Sequence, residues 1–117
     1  MNFNFKTFTF ILFLQIFSYS SYADFENGFK EYGKGNFVNA FKEWEPLAKK
    51  GHSNAQYNLG LMYHNGQGII KDYTLSGKWL LLASEQGNIN AMRLLSTFYA
   101  SGKGIPLDLN RAYLRIF

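Results

Sequence analysis

The stretch AQYNLGLMYHNGQGIIKDYTLSGKWLLLASEQGN, residues 55–88, decides the fold because its landmarks return later in the 117-residue chain. The second copy lies at one fixed offset of 36 residues. The recurring landmarks are Ala55, Tyr63, Gly66 and Gly68, which reappear as Ala91, Tyr99, Gly102 and Gly104. A fixed period of this size indicates an array of helical repeats, in which each repeat is a pair of helices.

The first helix of each copy shows apolar residues at helical spacing. In the first copy they predict a buried face of Ala55, Leu59, Met62 and Tyr63, and in the second copy a face of Ala91, Leu94, Leu95, Phe98 and Tyr99. Ser53 or Asn54 is the expected N-cap of the first copy. Gly66 and Gly102 should end the two helices, since glycine takes the left-handed conformation that commonly follows a helix.

The second helix of the first copy is predicted to begin at a cap residue, Asp72, and to run to Gln86. Its expected apolar face includes Leu75, Trp79, Leu82 and Ala83. In the second copy, Asp108 is expected to cap a final helix after Pro106, which cannot continue the preceding one.

The same period extends towards the N-terminus. Phe37, Ala40 and Gly51 lie 36 residues before Tyr73, Ser76 and Gly87. Residues 36–50 are therefore predicted to form the second helix of an earlier pair, with Pro46 kinking it or splitting off its last turn. The first helix of that pair is expected from Asp24 to about Tyr32. The prediction is six helices and no strand.

Residues 1–23 differ from the rest of the chain. They carry six of the 12 Phe residues and a single charged side chain, Lys6. A basic residue, a short apolar run and a small-residue exit are typical of a secretory signal peptide. Cleavage is expected after Ala23, which predicts a periplasmic or secreted protein. An uncleaved membrane anchor is the alternative, and contact with a membrane is expected only in that case.

These motifs together resemble a known family. Residues 55–88 look like a Sel1-like repeat, a relative of the tetratricopeptide repeat with a longer loop between its helices. Residues 91–117 resemble a second, incomplete repeat. The expected fold class is all-α: a short right-handed solenoid of three antiparallel helix pairs after an N-terminal signal peptide. Its parts are an N-terminal helix pair at 24–51, a repeat at 52–87 and an incomplete repeat at 88–117.

The resemblance implies a scaffold that binds a protein or peptide partner. In the related tetratricopeptide arrays, the first helix of each pair lines a concave groove. Carried to the matching positions, that groove would hold Asn54, Tyr57, Leu61, His64, Asn65, Asn90, Arg93, Thr97 and Ser101. Amide, aromatic and basic groups of this kind suit a peptide laid along a groove. No cofactor is expected.

Two alternatives remain. Cysteine-rich members of this family are associated with penicillin binding or β-lactamase activity, but their helix pairs are disulfide-linked and this chain has no cysteine. The other alternative is a truncated array without function, because the last predicted helix stops at Phe117. His52 and His64 fit no catalytic or metal motif. The net charge of +4 is spread along the chain, which argues against a nucleic-acid partner. The chain is therefore not expected to be an enzyme.

Overall fold

The computed structural model describes residues 5–102, so the predicted sixth helix, which starts after Asp108, lies outside the described residues. Within that range the chain forms five α-helices and no strand. The helices are α1 (Phe5–Gly33), α2 (Phe37–Lys49), α3 (Ser53–Asn65), α4 (Tyr73–Glu85) and α5 (Ile89–Ser101). Each helix packs mainly against its neighbours in sequence, and α3 also contacts α5. The expected all-α solenoid of helix pairs is confirmed for this part of the chain.

Two buried clusters hold the helices together. The first joins α1, α2 and α3 and contains Phe25, Ala40, Phe41, Trp44, Leu47, Ala48, Ala55, Leu59 and Met62. The second joins α4 and α5 and contains Leu80, Ala83, Ala91, Leu95, Phe98 and Tyr99. Each cluster is shared by consecutive helices, so each helix pair stabilises the next one.

The face of α4 that is buried differs in part from the prediction. Leu75 and Leu82 are exposed, at 36% and 46%. The residues that α4 buries are Ser76, Gly77, Leu80, Ala83 and Ser84. Small residues on this face let α4 approach α3 closely, and the Ser76 hydroxyl donates a hydrogen bond of 2.6 Å to the carbonyl of Gly60. Close packing has therefore outweighed side-chain hydrophobicity in setting the buried face.

Side chains cap the N-terminal ends of α3 and α4. Asp72 caps α4 as predicted, because its Oδ1 accepts a hydrogen bond from the Leu75 N–H at 3.0 Å. The predicted cap of α3 at Ser53 or Asn54 is wrong. His52 is the N-cap, and its Nδ1 accepts from the Ala55 N–H at 3.1 Å. A histidine nitrogen can serve here because, like a carboxylate or amide oxygen, it reaches a free N–H of the first turn.

The predicted stops at Gly66 and Gly102 are confirmed, since both are left-handed C-caps with φ of 68° and 72°. Pro46, in contrast, does not split α2, which continues through it to Lys49. Pro46 lies near the end of the helix and is exposed. The Lys50 N–H still bonds to the Pro46 carbonyl at 3.2 Å, so only the bond that proline itself cannot donate is lost.

The first helix is longer than the sequence predicts. It begins at Phe5 rather than at Asp24 and runs unbroken through Ala23. The physical reason is that neither glycine nor proline occurs between Phe5 and Gly28 to interrupt it. In the described range, no helix combines the length and the apolar character that crossing a membrane requires. Among the side chains that the structure describes, Phe25 is the first to belong to a buried cluster.

Candidate functional site

A pocket of about 440 Å³ lies where the first helices of successive pairs come together. Helices α1, α3 and α5 all contribute to it, with one residue from α2. Its lining consists of Phe25, Phe29, Tyr32, Trp44, Asn54, Tyr57, Asn58, Leu61 and Asn90. We call this site the groove pocket. Its volume falls in the range of pockets that hold small ligands.

The groove pocket gathers four of the nine residues that the sequence placed in a groove. They are Asn54, Tyr57 and Leu61 of α3 and Asn90 of α5. The other five do not line it: Asn65, Arg93, Thr97 and Ser101 are exposed elsewhere on α3 and α5, and His64 is partly buried. Most of the α3 residues that line the groove pocket therefore lie in the first half of that helix.

His64 lies between the two repeats. Its ring is 5.4 Å from that of Tyr73 and 5.5 Å from that of Phe98, measured between ring centroids. Its Nδ1 is 2.9 Å from Oδ1 of Asn65. These contacts give His64 a packing role that links α3 to both α4 and α5.

The aromatic wall of the groove pocket was missed by the sequence analysis. It consists of Phe25, Phe29, Tyr32 and Trp44. The Phe29 ring meets the Phe25 ring edge-on at 5.0 Å and the Trp44 ring at 5.1 Å. The spacing of the three α1 residues, at i, i+4 and i+7, is the signal that could have revealed this wall, because such residues share one helix face.

Two hydrogen bonds hold the wall in place. The Trp44 Nε1–H donates to the Phe25 carbonyl at 3.0 Å, and the bond is buried. The Tyr32 hydroxyl donates to Oε1 of Gln67, in the loop after α3, also at 3.0 Å. The first bond ties α2 to α1, and the second ties α1 to the repeat that follows. The rings are therefore arranged before any ligand arrives.

Asn58 forms part of the opposite side of the groove pocket. Its side chain is 8% exposed, and its Nδ2 has no hydrogen-bond partner among the described residues. Leaving a buried donor unpaired costs about 1–3 kcal/mol. The Gln56 amide, two residues earlier, shows the contrast. It is also buried, but it donates to the Ala48 carbonyl at 3.1 Å and accepts from Gln86 Nε2 at 2.8 Å.

The lining of the groove pocket is uncharged. Its polar atoms are three Asn amides and the hydroxyls of Tyr32 and Tyr57. Burial raises the pKa of Tyr57, with a smaller effect from Tyr32, so its hydroxyl stays protonated at neutral pH. Within residues 5–102, no group of three or more His, Cys, Asp or Glu side chains is placed to hold a metal ion. The arrangement can bind apolar groups and donate hydrogen bonds.

Comparison with protein families gives a match to the Sel1 repeat, at residues 53–88 and 89–114. Two solved structures share the fold. A Sel1 repeat protein from Oxalobacter formigenes superposes with a TM-score of 0.73 at 25% identity, covering 78% of this chain and 37% of that one. The protective antigen c5321 of uropathogenic Escherichia coli, which displays an SLR fold, gives 0.76 at 28% identity, covering 97% and 24%.

Two relatives are similar in sequence. HRD3A of Arabidopsis thaliana, an ERAD-associated E3 ubiquitin-protein ligase component, is 40% identical over 65 residues, which are 55% of this chain and 10% of that protein. An exopolysaccharide production negative regulator of Rhizobium leguminosarum bv. viciae is 28% identical over 101 residues, or 75% of this chain and 38% of that protein. The chain thus spans well under half of either relative.

Proposed function

The chain belongs to the Sel1 repeat family, whose repeats generally mediate protein–protein interactions, and from this we propose that it is an exported scaffold that binds a segment of a partner protein in the groove pocket. The observation that carries the proposal is the groove pocket itself. Three successive first helices line it, and its aromatic wall is held in position by the hydrogen bonds of Trp44 and Tyr32. A preformed apolar site loses little conformational entropy when it binds.

The chemistry of the lining favours binding over hydrolysis. A β-lactamase-type hydrolase or a penicillin-binding protein needs an activated nucleophile with a base beside it. Among the described residues, those that line the groove pocket supply aromatic rings, amides, two tyrosine hydroxyls and Leu61, with no histidine, carboxylate or amine. These groups fit a docking surface for a peptide.

The relatives suggest the setting in which such a surface works. HRD3A is a component of a ubiquitin ligase, and c5321 is a protective antigen. By analogy, we infer that this chain acts by holding another protein, as one part of an assembly. Export is proposed on the basis of the residues before Asp24. All members of the two buried clusters that the structure describes lie after Asp24, which is compatible with removal of residues 1–23.

Selection of peptides on the full chain tests the proposal. Random dodecapeptides displayed on phage would be selected for binding, and the selected peptides measured against two variants. Phe29→Ala removes an exposed ring from the groove pocket, and Ile70→Ala removes an exposed apolar side chain outside it. We expect Phe29→Ala to weaken binding at least about tenfold, as for an aromatic contact at an interface, and Ile70→Ala to leave it unchanged. A failure to select binders, or equal effects of both variants, would contradict the proposal.

A further inference from the structure

The first helices of the three pairs differ in charge. Helix α3 has no lysine, arginine, aspartate or glutamate from Ser53 to Asn65. In α5, the single charged residue is Arg93. Within residues 24–33 of α1, the charged residues are Asp24, Glu26, Lys30 and Glu31. Among these helices, charge near the groove pocket therefore comes from α1 and α5.

Glu26 is the α1 charge that borders the groove pocket. Lys30 and Glu31 line a separate depression between α1 and α2. Asp24 lines a further depression, also against α2. Glu26 lines neither of these and is exposed. It lies three residues before Phe29 of the groove pocket, so the two side chains are neighbours on the surface of α1.

Arg93 borders the groove pocket from α5. It is exposed and lies three residues after Asn90, which lines the pocket. In the repeat it occupies the position of Tyr57, another lining residue 36 positions earlier. Neither Arg93 nor Glu26 forms an ion pair with another residue that the structure describes. An uncharged groove is thus bordered by a negative charge on α1 and a positive charge on α5.

We propose that this groove takes an extended segment of the partner with a basic residue at one end, an acidic residue at the other and apolar residues between them. The basic residue lies by Glu26 and the acidic residue by Arg93. The apolar middle covers the ring of Phe29, which is 47% exposed. This inference rests on the proposed function and specifies the partner. It also fixes the direction in which the segment lies, because the reversed direction would bring like charges together.

The width of the groove sets the spacing of the two charges on the partner. Packed helices lie about 8–10 Å apart, so a segment that crosses from α1 over α3 to α5 covers at least about 20 Å. An extended chain advances about 3.3 Å per residue. The basic and acidic residues of the partner should therefore be at least about six residues apart.

Reversing one charge at a time tests this assignment. Glu26→Lys would make both borders of the groove positive, and Arg93→Glu would make both negative. Random dodecapeptides on phage would be selected against the full native chain and against each variant. We expect the native chain to select peptides that carry one basic and one acidic residue. Glu26→Lys should select peptides with two acidic residues, and Arg93→Glu peptides with two basic residues.

The matched controls make the same charge changes on α4. Glu85→Lys and Lys78→Glu are at exposed sites of this helix, which contributes no residue to the lining of the groove pocket. Both controls should select the same peptides as the native chain. A peptide selected on the native chain should bind Glu26→Lys or Arg93→Glu about fivefold more weakly, since a surface attraction becomes a repulsion. It should bind the controls with unchanged affinity.

The double variant Glu26→Lys/Arg93→Glu tests the direction of the segment. It exchanges the two border charges, so we expect it to bind the native-selected peptide more weakly than the same peptide with its residue order reversed. Salt provides a readout on the native chain alone. Raising the salt concentration from about 0.05 M to about 0.5 M should weaken binding of the mixed-charge peptides, because exposed charges are screened.

Two results would overturn the inference and leave the proposed function intact. One is the selection of the same peptides by the native chain, Glu26→Lys and Arg93→Glu. The other is binding of the selected peptides that salt does not weaken. In either case the peptides would still lose affinity in Phe29→Ala if the groove pocket binds them. If no peptide is selected on any of these chains, both proposals are contradicted.

Discussion

Gly60 of α3 lies so close to Leu80 of α4 that a β-carbon on Gly60 would be 2.6 Å from the Leu80 Cδ2. Leu80 is completely buried. The preceding helix pair repeats this contact. A β-carbon on Gly28 of α1 would overlap the indole of Trp44, which lies 36 residues before Leu80. In both pairs, a glycine on the first helix lets a large side chain of the second helix reach its backbone.

Substitution of this glycine should destabilise the fold. Overpacking of a core costs about 1–3 kcal/mol, while replacing glycine inside a helix returns about 1 kcal/mol. We therefore expect Gly60→Ala to lower the free energy of unfolding in urea by about 1 kcal/mol. Gly33→Ala is the control, because no atom lies within 4 Å of its added β-carbon. It should leave stability equal or higher, and a Gly60→Ala chain as stable as Gly33→Ala would refute the close contact.

His52 and Asn88 offer a second test, because they occupy the same N-cap position 36 residues apart. Both have φ −68° and ψ 109°, and each accepts a hydrogen bond from the N–H three residues later, on Ala55 or Ala91. Removing an N-cap costs about 1 kcal/mol. We expect His52→Ala to lower stability by about that amount.

His52→Asn should restore the cap that Asn88 provides in the next repeat. It would not restore the contact of the His52 ring with Phe25, whose centroids are 4.6 Å apart. The stability of His52→Asn is therefore predicted to fall between those of the native chain and His52→Ala in urea unfolding. An Asn variant no more stable than the Ala variant would show that the hydrogen bond contributes nothing.

High pH should weaken the fold through Tyr57 and Tyr63. Burial raises the pKa of both above the ordinary 10.0, and for Tyr63 the charges of Glu45 and Asp72 add to the effect. A group whose pKa is higher in the folded state contributes stability below its unfolded pKa and loses it as the pH rises through the folded value. Stability should thus decline as the pH rises above 10.0, and less steeply in Tyr63→Phe. An equal decline in the native chain and in Tyr63→Phe would contradict the burial of the Tyr63 hydroxyl.

The predicted cleavage of a signal peptide after Ala23 can be tested directly. If residues 1–23 are a signal peptide, mass spectrometry of the exported protein should find Asp24 at its N-terminus. All the described residues that line the groove pocket lie after Asp24, so we expect the cleaved chain to keep it. An exported or membrane-attached chain that still begins at Met1 would contradict cleavage and favour the anchor.

The repeat period predicted α2 to α5 and their capping residues Asp72, Gly66 and Gly102, because these features are local and recur in the sequence. It failed at α1. Residues 34–36 link α1 to α2, whereas residues 66–72 link α3 to α4. The shorter loop reduces the offset between α1 and α3 from 36 to 32.

At that offset, Tyr57, Leu61 and His64 correspond to Phe25, Phe29 and Tyr32. The three α1 residues of the aromatic wall therefore occupy the positions that the groove prediction had already selected on α3, one pair earlier. The unpaired amide of Asn58 could not be predicted in the same way. Whether a buried donor finds a partner depends on how separate helices pack, and the sequence around Asn58 carries no sign of it.

A crystal structure of the full chain with a phage-selected peptide bound is the measurement that bears most directly on the proposed function. We expect the peptide to lie in the groove pocket, with an apolar side chain against the exposed ring of Phe29. A peptide that binds elsewhere on the chain and leaves Phe29 uncovered would contradict the proposal.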